Sequence, residues 1–293
     1  MSKIVPHLWF DTQAFEAAQF YTSLFPNSRI LSRISLPDTP SGDAELVVAQ
    51  LAGQEFQLLS AGPEFRFTPA ISFLVSCDTA AEVSILWEKF SEGGQALMPL
   101  DAYPFAERYA WVTDRYGLSW QVMYRKGATV GQKITPTLMF VGEQCGQAET
   151  AVKFYASVFG PATVDGITRY GPGEEPDRPG TVKHVAFSLE GEGFAAMDSA
   201  HRHEFGFNEA ISFLVHCDDQ AQIDRLWNAL SADPGAESCG WLKDKFGVSW
   251  QISPRNMGNW LQTSDSMQKA RFLTVMLTMK KLDIAALSRA YGD

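Results

Sequence analysis

The amino-acid sequence predicts an α+β fold made of two tandem copies of one module, followed by a helical tail. The first observation is an internal repeat, in which the same blocks of sequence occur twice in the same order. The second is the alternation of strand-like and helix-like apolar patterns within each copy. The third is the length, because 293 residues are enough for two domains that each bury a core.

Three pairs of segments carry the repeat. They are 4–10 and 134–140, 70–78 and 210–218, and 111–121 and 241–251. The second pair differs at one position only, where Ser76 is replaced by His216, and the third pair shares Trp-x-x-Asp-x-x-Gly-x-Ser-Trp-Gln. The repeat therefore predicts whole duplicated modules rather than scattered motifs.

The limits of the modules follow from the repeat and from a short link of small residues between the copies. The first module is predicted at 1–128 and the second at 132–258. A third segment, 266–293, matches neither copy. We expect it to form helices whose apolar stripe, which includes Phe272 and Met276, docks across the modules or on a partner subunit, so a homodimer is left open.

Within each module the apolar pattern predicts two βαβββ units. Residues 4–10 alternate as a strand, and residues 12–24 space apolar side chains along one helix face. Three more strands are predicted at 29–36, 46–51 and 56–59. The same order begins again at residue 71. The two units of one module are therefore predicted to curl a mixed sheet of eight strands around a cup.

Composition and charge exclude several classes of function. The formal net charge is −10 and no large cluster of Lys or Arg is present, so we expect no nucleic-acid partner. No apolar run approaches the roughly 20 residues that span a bilayer, and no signal peptide precedes the first strand. We therefore expect a cytoplasmic protein without a membrane partner. The four cysteines lack metal-site or disulfide-framework spacing.

Two motifs of the second module are similar to those of a known family. They are Phe-x-Phe-Asn-Glu-Ala-Ile-Ser-Phe at 205–213 and Cys-Gly-Trp-Leu-Lys-Asp-Lys-Phe-Gly-x-Ser-Trp-Gln at 239–251. With the paired βαβββ pattern, they resemble the PhnB-like group of the vicinal-oxygen-chelate superfamily, whose domain is named after 3-demethylubiquinone-9 3-methyltransferase. The superfamily includes glyoxalase I and bleomycin-resistance proteins. The resemblance implies two tandem glyoxalase-like modules.

The resemblance also implies where a metal would be held. Metal-using members place inward-facing His, Glu or Gln on the first strand of each βαβββ unit and on the last strands. The corresponding residues here are Val5 and Thr135, Ser72 and Ser212, and Gln121 and Gln251. A neutral amide replaces the carboxylate and these positions hold no imidazole, which makes a weak site for a divalent cation. We therefore expect no metal and no cofactor.

Strand parity provides an alternative ligand set. If Leu8 and Phe10 pack on the helix, then Val5, His7 and Trp9 point into the cup. A metal held by His7 together with Gln121 is therefore a competing hypothesis. The candidate ligand-binding residues are His7, Trp9, Ser72, Gln121, His184, Asn208, Ser212, Trp241 and Gln251. No catalytic residue is assigned.

These observations predict a metal-independent protein that binds an unknown small molecule, with residual enzymatic activity on a metabolite left open. One alternative is a metal-dependent lyase or dioxygenase with non-standard ligands, and another is a structural or interaction protein. The methyltransferase activity in the family name is disfavoured, because the sequence lacks the glycine-rich turn and doubly wound pattern that hold a nucleotide-like cofactor.

Overall fold

The structure is a computed structural model that describes residues 3–128 and 130–292. Met1 and Ser2 of the predicted first module, Thr129 of the link and Asp293 of the predicted tail lie outside the described residues. The first half of the chain contains β1 (Ile4–Phe10), α1 (Ala14–Leu24), β2 (Arg29–Thr39), β3 (Gly42–Leu51), β4 (Gln54–Ser60), β5 (Ile71–Ser76), α2 (Ala80–Ser91), β6 (Gln95–Tyr103), β7 (Ala106–Thr113) and β8 (Ser119–Tyr124).

The second half repeats this order with fewer strands and then adds helices. It contains β9 (Ile134–Phe140), α3 (Ala148–Val158), β10 (Ala162–Arg169), β11 (Val182–Leu189), β12 (Glu192–Asp198), β13 (Ile211–Cys217), α4 (Gln220–Leu230), β14 (Trp241–Lys243), β15 (Ser249–Pro254), α5 (Met257–Leu261), α6 (Ser266–Leu277) and α7 (Ile284–Tyr291). The predicted fold class, two copies of paired βαβββ units with a helical tail, is confirmed.

The chain forms two compact units, each built from parts of both sequence modules. Unit 1 comprises Met1–Phe65 with Asn208–Asp293, and unit 2 comprises Arg66–Phe207. The sheet of unit 1 has seven strands in the order β14-β15-β13-β1-β4-β3-β2. In its centre β1 runs antiparallel to β13, whereas β1 is parallel to β4 and β13 is parallel to β15.

Unit 2 has the same arrangement with one more strand. Its sheet has eight strands in the order β10-β11-β12-β9-β5-β8-β7-β6. Here β5 runs antiparallel to β9, β9 is parallel to β12, and β5 is parallel to β8. Both sheets are therefore mixed, as the sequence predicts.

The partner of each βαβββ unit differs from the prediction. The sequence predicts that both units of one module share a sheet, but β1 of the first module pairs with β13 of the second, and β5 pairs with β9. Either pairing is compatible with the sequence, because β5 and β13 are almost identical and offer β1 the same edge. The predicted modules at 1–128 and 132–258 thus follow the repeat and not the compact units.

Unit 1 has seven strands instead of the predicted eight because the second module lacks a counterpart of β6. Residues 231–240 contain a short 3-10 turn, Pro234–Ala236, at the place where module one forms a hairpin. Proline has no backbone N–H to donate to a strand ladder, and Gly235 beside it favours a turn. As a result β14 is only three residues long and pairs with β15 alone.

The C-terminal tail packs on unit 1. Phe272 and Leu273 of α6, Leu287 of α7 and the buried Trp260 of α5 belong to one apolar cluster with the strand residues Ile34, Leu36, Ala44 and Leu46. The backbone N–H groups of Cys239 and Gly240 donate to the carbonyls of Met279 and Lys280 at 2.8 and 2.7 Å. The predicted apolar stripe is thus buried within the chain itself. Among the described helices, none combines the length and apolar character needed to cross a bilayer.

Candidate functional site

A cavity of about 460 Å³ lies on one face of the unit 1 sheet, which we call the cup face. Register places its residues there, because His7 is opposite both Ser212 and Gln57, and Leu214 is opposite Gln251. The strand and loop residues on its wall include His7, Trp9, Leu46, Gln57, Leu59, Glu209, Leu214, Trp241 and Gln251, and the tail adds Met257, Leu261, Met276, Leu277 and Leu282. We call this space the first cavity.

Gln251 is a polar group on the wall of the first cavity, and Ser212, which was also predicted to bind a ligand, lies beneath it and does not line the cavity. The amide Nε2 of Gln251 donates a hydrogen bond of 3.0 Å to Oγ of the fully buried Ser212. Gln251 is 8% exposed and lines the cavity. Since its amide nitrogen is bonded to the protein, its amide oxygen is the group that can accept a hydrogen bond from a bound molecule.

His7 contributes a neutral imidazole to the wall. The side chain is 4% exposed, and its Nδ1 is buried with no hydrogen-bond partner. Burial lowers the pKa of His7 to about 3, because the charged form would lose its hydration. The ring meets Trp241 edge to face, with ring centres 5.3 Å apart. At neutral pH this part of the wall is therefore uncharged.

Two tryptophans make an aromatic corner. Trp9 is held in place by a hydrogen bond of 2.8 Å from its Nε1 to the carbonyl of Gly62, and Phe65 packs against its other side. The ring of Trp241 lies 6.2 Å from that of Trp9 at a steep angle. Such a corner offers both a ring face and a ring edge to a planar or apolar molecule.

The structure separates the roles of Asn208 and Glu209. Asn208 was predicted as a ligand-binding residue, but its Oδ1 accepts from the backbone N–H of Ala210 at 2.9 Å and it is not on the cavity wall. Glu209 lines the cavity instead, and its carboxylate pairs with Lys243 at 2.6 Å. The sequence also indicates Glu209 as a residue to test, because the first module has Pro69 at that position, but it does not single out Gln57, which parity alone would have placed opposite His7.

Unit 2 brings Ser72 and Gln121 together in the same way but covers them. Gln121 Nε2 donates to Ser72 Oγ at 2.7 Å, and the Tyr109 hydroxyl donates to Gln121 Oε1 at 2.7 Å. Phe105 packs against Tyr109 edge to face. His184, also predicted as a ligand-binding residue, is exposed on β11, three strands from β5 in the sheet. It therefore does not join the Ser72–Gln121 pair.

The structure does not place His7 and Gln121, the pair of the competing metal hypothesis, in one sheet. His7 belongs to unit 1 and Gln121 to unit 2, because β1 pairs with β13 while β5 pairs with β9. In unit 1, Val5, Ser212 and Gln251 stand at the positions where the resemblance to metal-using members implies ligands, and none of these is a carboxylate or an imidazole. Among residues 3–128 and 130–292, no group of three or more His, Cys, Asp or Glu has the geometry of a metal site.

The repeated Asp-x-x-Gly-x-Ser-Trp-Gln motif is largely structural. The buried Asp114 accepts from the backbone N–H groups of Tyr116 and Leu118 and from Nε1 of Trp120 at 2.9 Å. In the second copy Asp244 accepts in the same way from Phe246 and Val248 and from Trp250 at 2.9 Å. The aspartate fixes the turn before the last strand, and Ser249 and Gln251 both lie on the cup face, where Gln251 lines the first cavity.

A family model described as 3-demethylubiquinone-9 3-methyltransferase matches the chain twice, at residues 2–123 and 132–253. The two matches confirm the tandem copy and the resemblance found in the sequence. No curated protein matches the chain.

Two solved structures are similar to the chain. The PhnB protein from Bacillus cereus is 37% identical over 42% of this chain and 99% of its own, with a TM-score of 0.40. Glyoxalase I from Zea mays is 12% identical over 90% of this chain and 98% of its own, with a TM-score of 0.56. The second comparison extends over both repeats and shows that the chain as a whole has the glyoxalase-like fold.

Proposed function

The chain belongs to the 3-demethylubiquinone-9 3-methyltransferase family, a group with the glyoxalase-like fold, and we propose that it binds a small, largely apolar molecule in the first cavity without a metal ion. The observation that carries this proposal is the cavity wall. Aromatic and aliphatic side chains surround a few placed polar groups, and the volume of about 460 Å³ falls within the range of about 300–1,000 Å³ of small-molecule sites.

The donor set supports binding without a metal. The cavity wall holds the imidazole of His7, the thiol of Cys239, the exposed carboxylate of Glu64 and two neutral amides, Gln57 and Gln251. Among the described residues, no three His, Cys, Asp or Glu side chains form a group that could hold a metal ion. The carboxylate of Glu209 is paired with Lys243, so its charge is already compensated. Divalent cations favour charged or strongly basic ligands that converge on one point, and this wall does not supply them. No metal-dependent step is therefore proposed.

The chemistry of His7 favours binding over catalysis. A general base works best when its pKa is near the working pH, whereas burial lowers the pKa of His7 to about 3. The neutral ring can still donate or accept a hydrogen bond. The methyl transfer in the family name is not proposed, because both sheets are mixed and lack the doubly wound parallel order that holds nucleotide-like cofactors.

The test is a thermal-shift screen of apolar metabolites, followed by calorimetry of the best ligand with wild type and variants. Trp241→Ala should weaken binding at least about tenfold, and Gln251→Ala should weaken it by a few-fold to about tenfold through one lost hydrogen bond. Gln121→Ala, the matched change in unit 2, should leave the affinity unchanged. Addition of EDTA should also have no effect.

The opposite results would reject the proposal. If EDTA abolishes binding and a divalent metal restores it, the protein is a metal-dependent member of its superfamily. If Trp241→Ala and Gln121→Ala weaken binding equally, the ligand is not in the first cavity.

A further inference from the structure

A second cavity, of about 350 Å³, lies beside the first on the cup face of unit 1. The two cavities share the wall residues Leu46, Gln57, Leu214, Ser253, Met257 and Leu261. Met257 and Leu261 belong to α5, so this short helix packs against the middle of the cup face and contacts both spaces. The residues particular to the second cavity include Ser32, Glu55, His216 and Arg255.

Three polar atoms on this wall are buried without a partner. They are Nδ1 and Nε2 of His216 and Oγ of Ser32. His216 is 5% exposed, and β13 places it on the cup face two residues beyond Leu214. Buried polar groups in proteins are almost always hydrogen-bonded, so an imidazole with both nitrogens unpaired beside an open space indicates a bound molecule. This is also the one position at which the nearly identical 70–78 and 210–218 segments differ, with Ser76 in the other copy.

The charge of the cavity selects the kind of molecule. Glu55 Oε1 lies 3.9 Å from His216 Nε2, which is too long for a hydrogen bond but lets one donor atom between them reach both. Arg255 is occupied by Asp218, to which its Nε donates at 2.5 Å. Among the described residues, the Glu55 carboxylate has no Lys or Arg within 4.0 Å, and its ionisable neighbour, His216, is charged only if protonated. The carboxylate favours a cation and disfavours an anion.

We propose that the second cavity binds a small amine with an apolar body. The ammonium group donates to Glu55 Oε1 and to the acceptor nitrogen of His216, and Ser32 supplies a further hydroxyl. Leu31, Val48 and Leu214 enclose the apolar part. The space is ample for one ring, since an engineered cavity of about 150 Å³ admits benzene. This site is separate from the proposed function and does not rest on it.

The test uses benzylamine, benzyl alcohol and benzoate, which share one ring and differ in the head group. The full chain is labelled with ¹³C at the methionine methyl groups and titrated by NMR. Met257 lines both cavities, whereas Met276 lines the first only. Benzylamine should shift the Met257 signal and leave that of Met276 unchanged. It should bind more tightly than benzyl alcohol, and benzoate should bind most weakly.

Two substitutions complete the test. Glu55→Gln keeps the shape of the side chain, and it should weaken benzylamine at least about tenfold while leaving benzyl alcohol unchanged. His216→Leu should weaken both. Glu209→Gln, the matched loss of a carboxylate in the first cavity, should change neither. A crystal structure of the benzylamine complex should show the nitrogen between Glu55 and His216.

Other outcomes would overturn the inference. They are a shift of Met276 alone, equal affinity of wild type and Glu55→Gln for benzylamine, or a structure with only water on His216 and Ser32. Trp241 lines the first cavity and not the second. Trp241→Ala should therefore reduce ligand binding in the first cavity without changing the affinity for benzylamine.

Discussion

The two units carry the same Ser–Gln pair on the same face of a similar sheet, but in unit 1 the glutamine lines the first cavity, whereas in unit 2 it is covered. In unit 2 the hydroxyl of Tyr109 caps the amide oxygen of Gln121. Counting back from the shared tryptophan, the second module has Cys239 at the position of Tyr109. The amide oxygen of Gln251 is therefore left to the cavity. The small thiol in place of the phenol, the absence of a counterpart of β6 and the docked tail together distinguish the first cavity from the covered wall of unit 2.

The equivalent tryptophans, Trp111 and Trp241, also differ in their hydrogen bonds between the two units. In unit 2 the Nε1 of Trp111 donates to Ser119 Oγ at 2.8 Å. In unit 1 the equivalent Ser249 Oγ is buried without a partner, and Trp241 lies against His7 and Trp9 instead. The repeated motif thus forms the same backbone turn in both copies, but Trp241 of unit 1 lines the first cavity. Within the described residues, unit 1 therefore lacks counterparts of the Tyr109–Gln121 and Trp111–Ser119 hydrogen bonds of unit 2.

The largest expected difference between the units is the loss of folding stability at low pH. The counterpart of His7 in the second module is Thr137, which does not titrate in this range. Because the pKa of His7 is about 3 when folded and about 6.5 when unfolded, the unfolded chain binds the extra proton between these pH values. Stability is therefore lost as the pH falls below about 6.5. The contribution of His7 should reach about 2.7 kcal/mol at pH 4.5.

The measurement is chemical denaturation of wild type and His7→Thr between pH 7 and 4.5. The difference in unfolding free energy between the two proteins should change with pH by roughly that amount, with wild type losing more. Trp9→Phe alters the same wall without removing a titrating group, so its difference from wild type should stay constant. A constant difference for His7→Thr would show that His7 becomes charged in the folded protein.

The next effect concerns the cap on Gln121. Tyr109→Phe removes the hydroxyl and leaves the buried amide oxygen unpaired, which should reduce the unfolding free energy by about 1–3 kcal/mol. Tyr103→Phe removes a bond to the Pro99 carbonyl on an exposed part of the same hairpin and should cost less than about 0.5 kcal/mol. Denaturation monitored by circular dichroism measures both. Equal costs would mean that the cap does not distinguish unit 2.

The sequence predicted the elements of this fold because each is encoded locally. Apolar periodicity gives the strand of 4–10 and the helix after it. The N-terminus of α7 is also encoded locally, because Asp283 accepts from the backbone N–H of Ala286 at 2.7 Å. Parity correctly places His7 and Trp9 on the cup face. These features depend on neighbours in the chain, so one sequence is enough to predict them.

The assembly of the site depends on distant contacts and was not predictable in the same way. Strands β5 and β13 are nearly identical, so their sequences do not determine which of them pairs with β1. The closure of the first cavity by Met276 and Leu282 depends on where the tail docks. The role of Glu209 depends on Lys243, which lies far along the chain. Only three-dimensional pairing brings these groups together.

The smallest expected effect is the most direct comparison of the two copies. Ser119→Ala removes the acceptor of the Trp111 indole N–H and should cost about 1 kcal/mol. Ser249→Ala removes a buried hydroxyl that has no partner, so it should be neutral or slightly stabilising. Both serines are almost fully buried, so the change in volume is the same and only the hydrogen bond differs. Equal costs in denaturant unfolding would show that Trp241 reaches Ser249 in solution, and that the corner it forms with Trp9 is one of two positions it adopts.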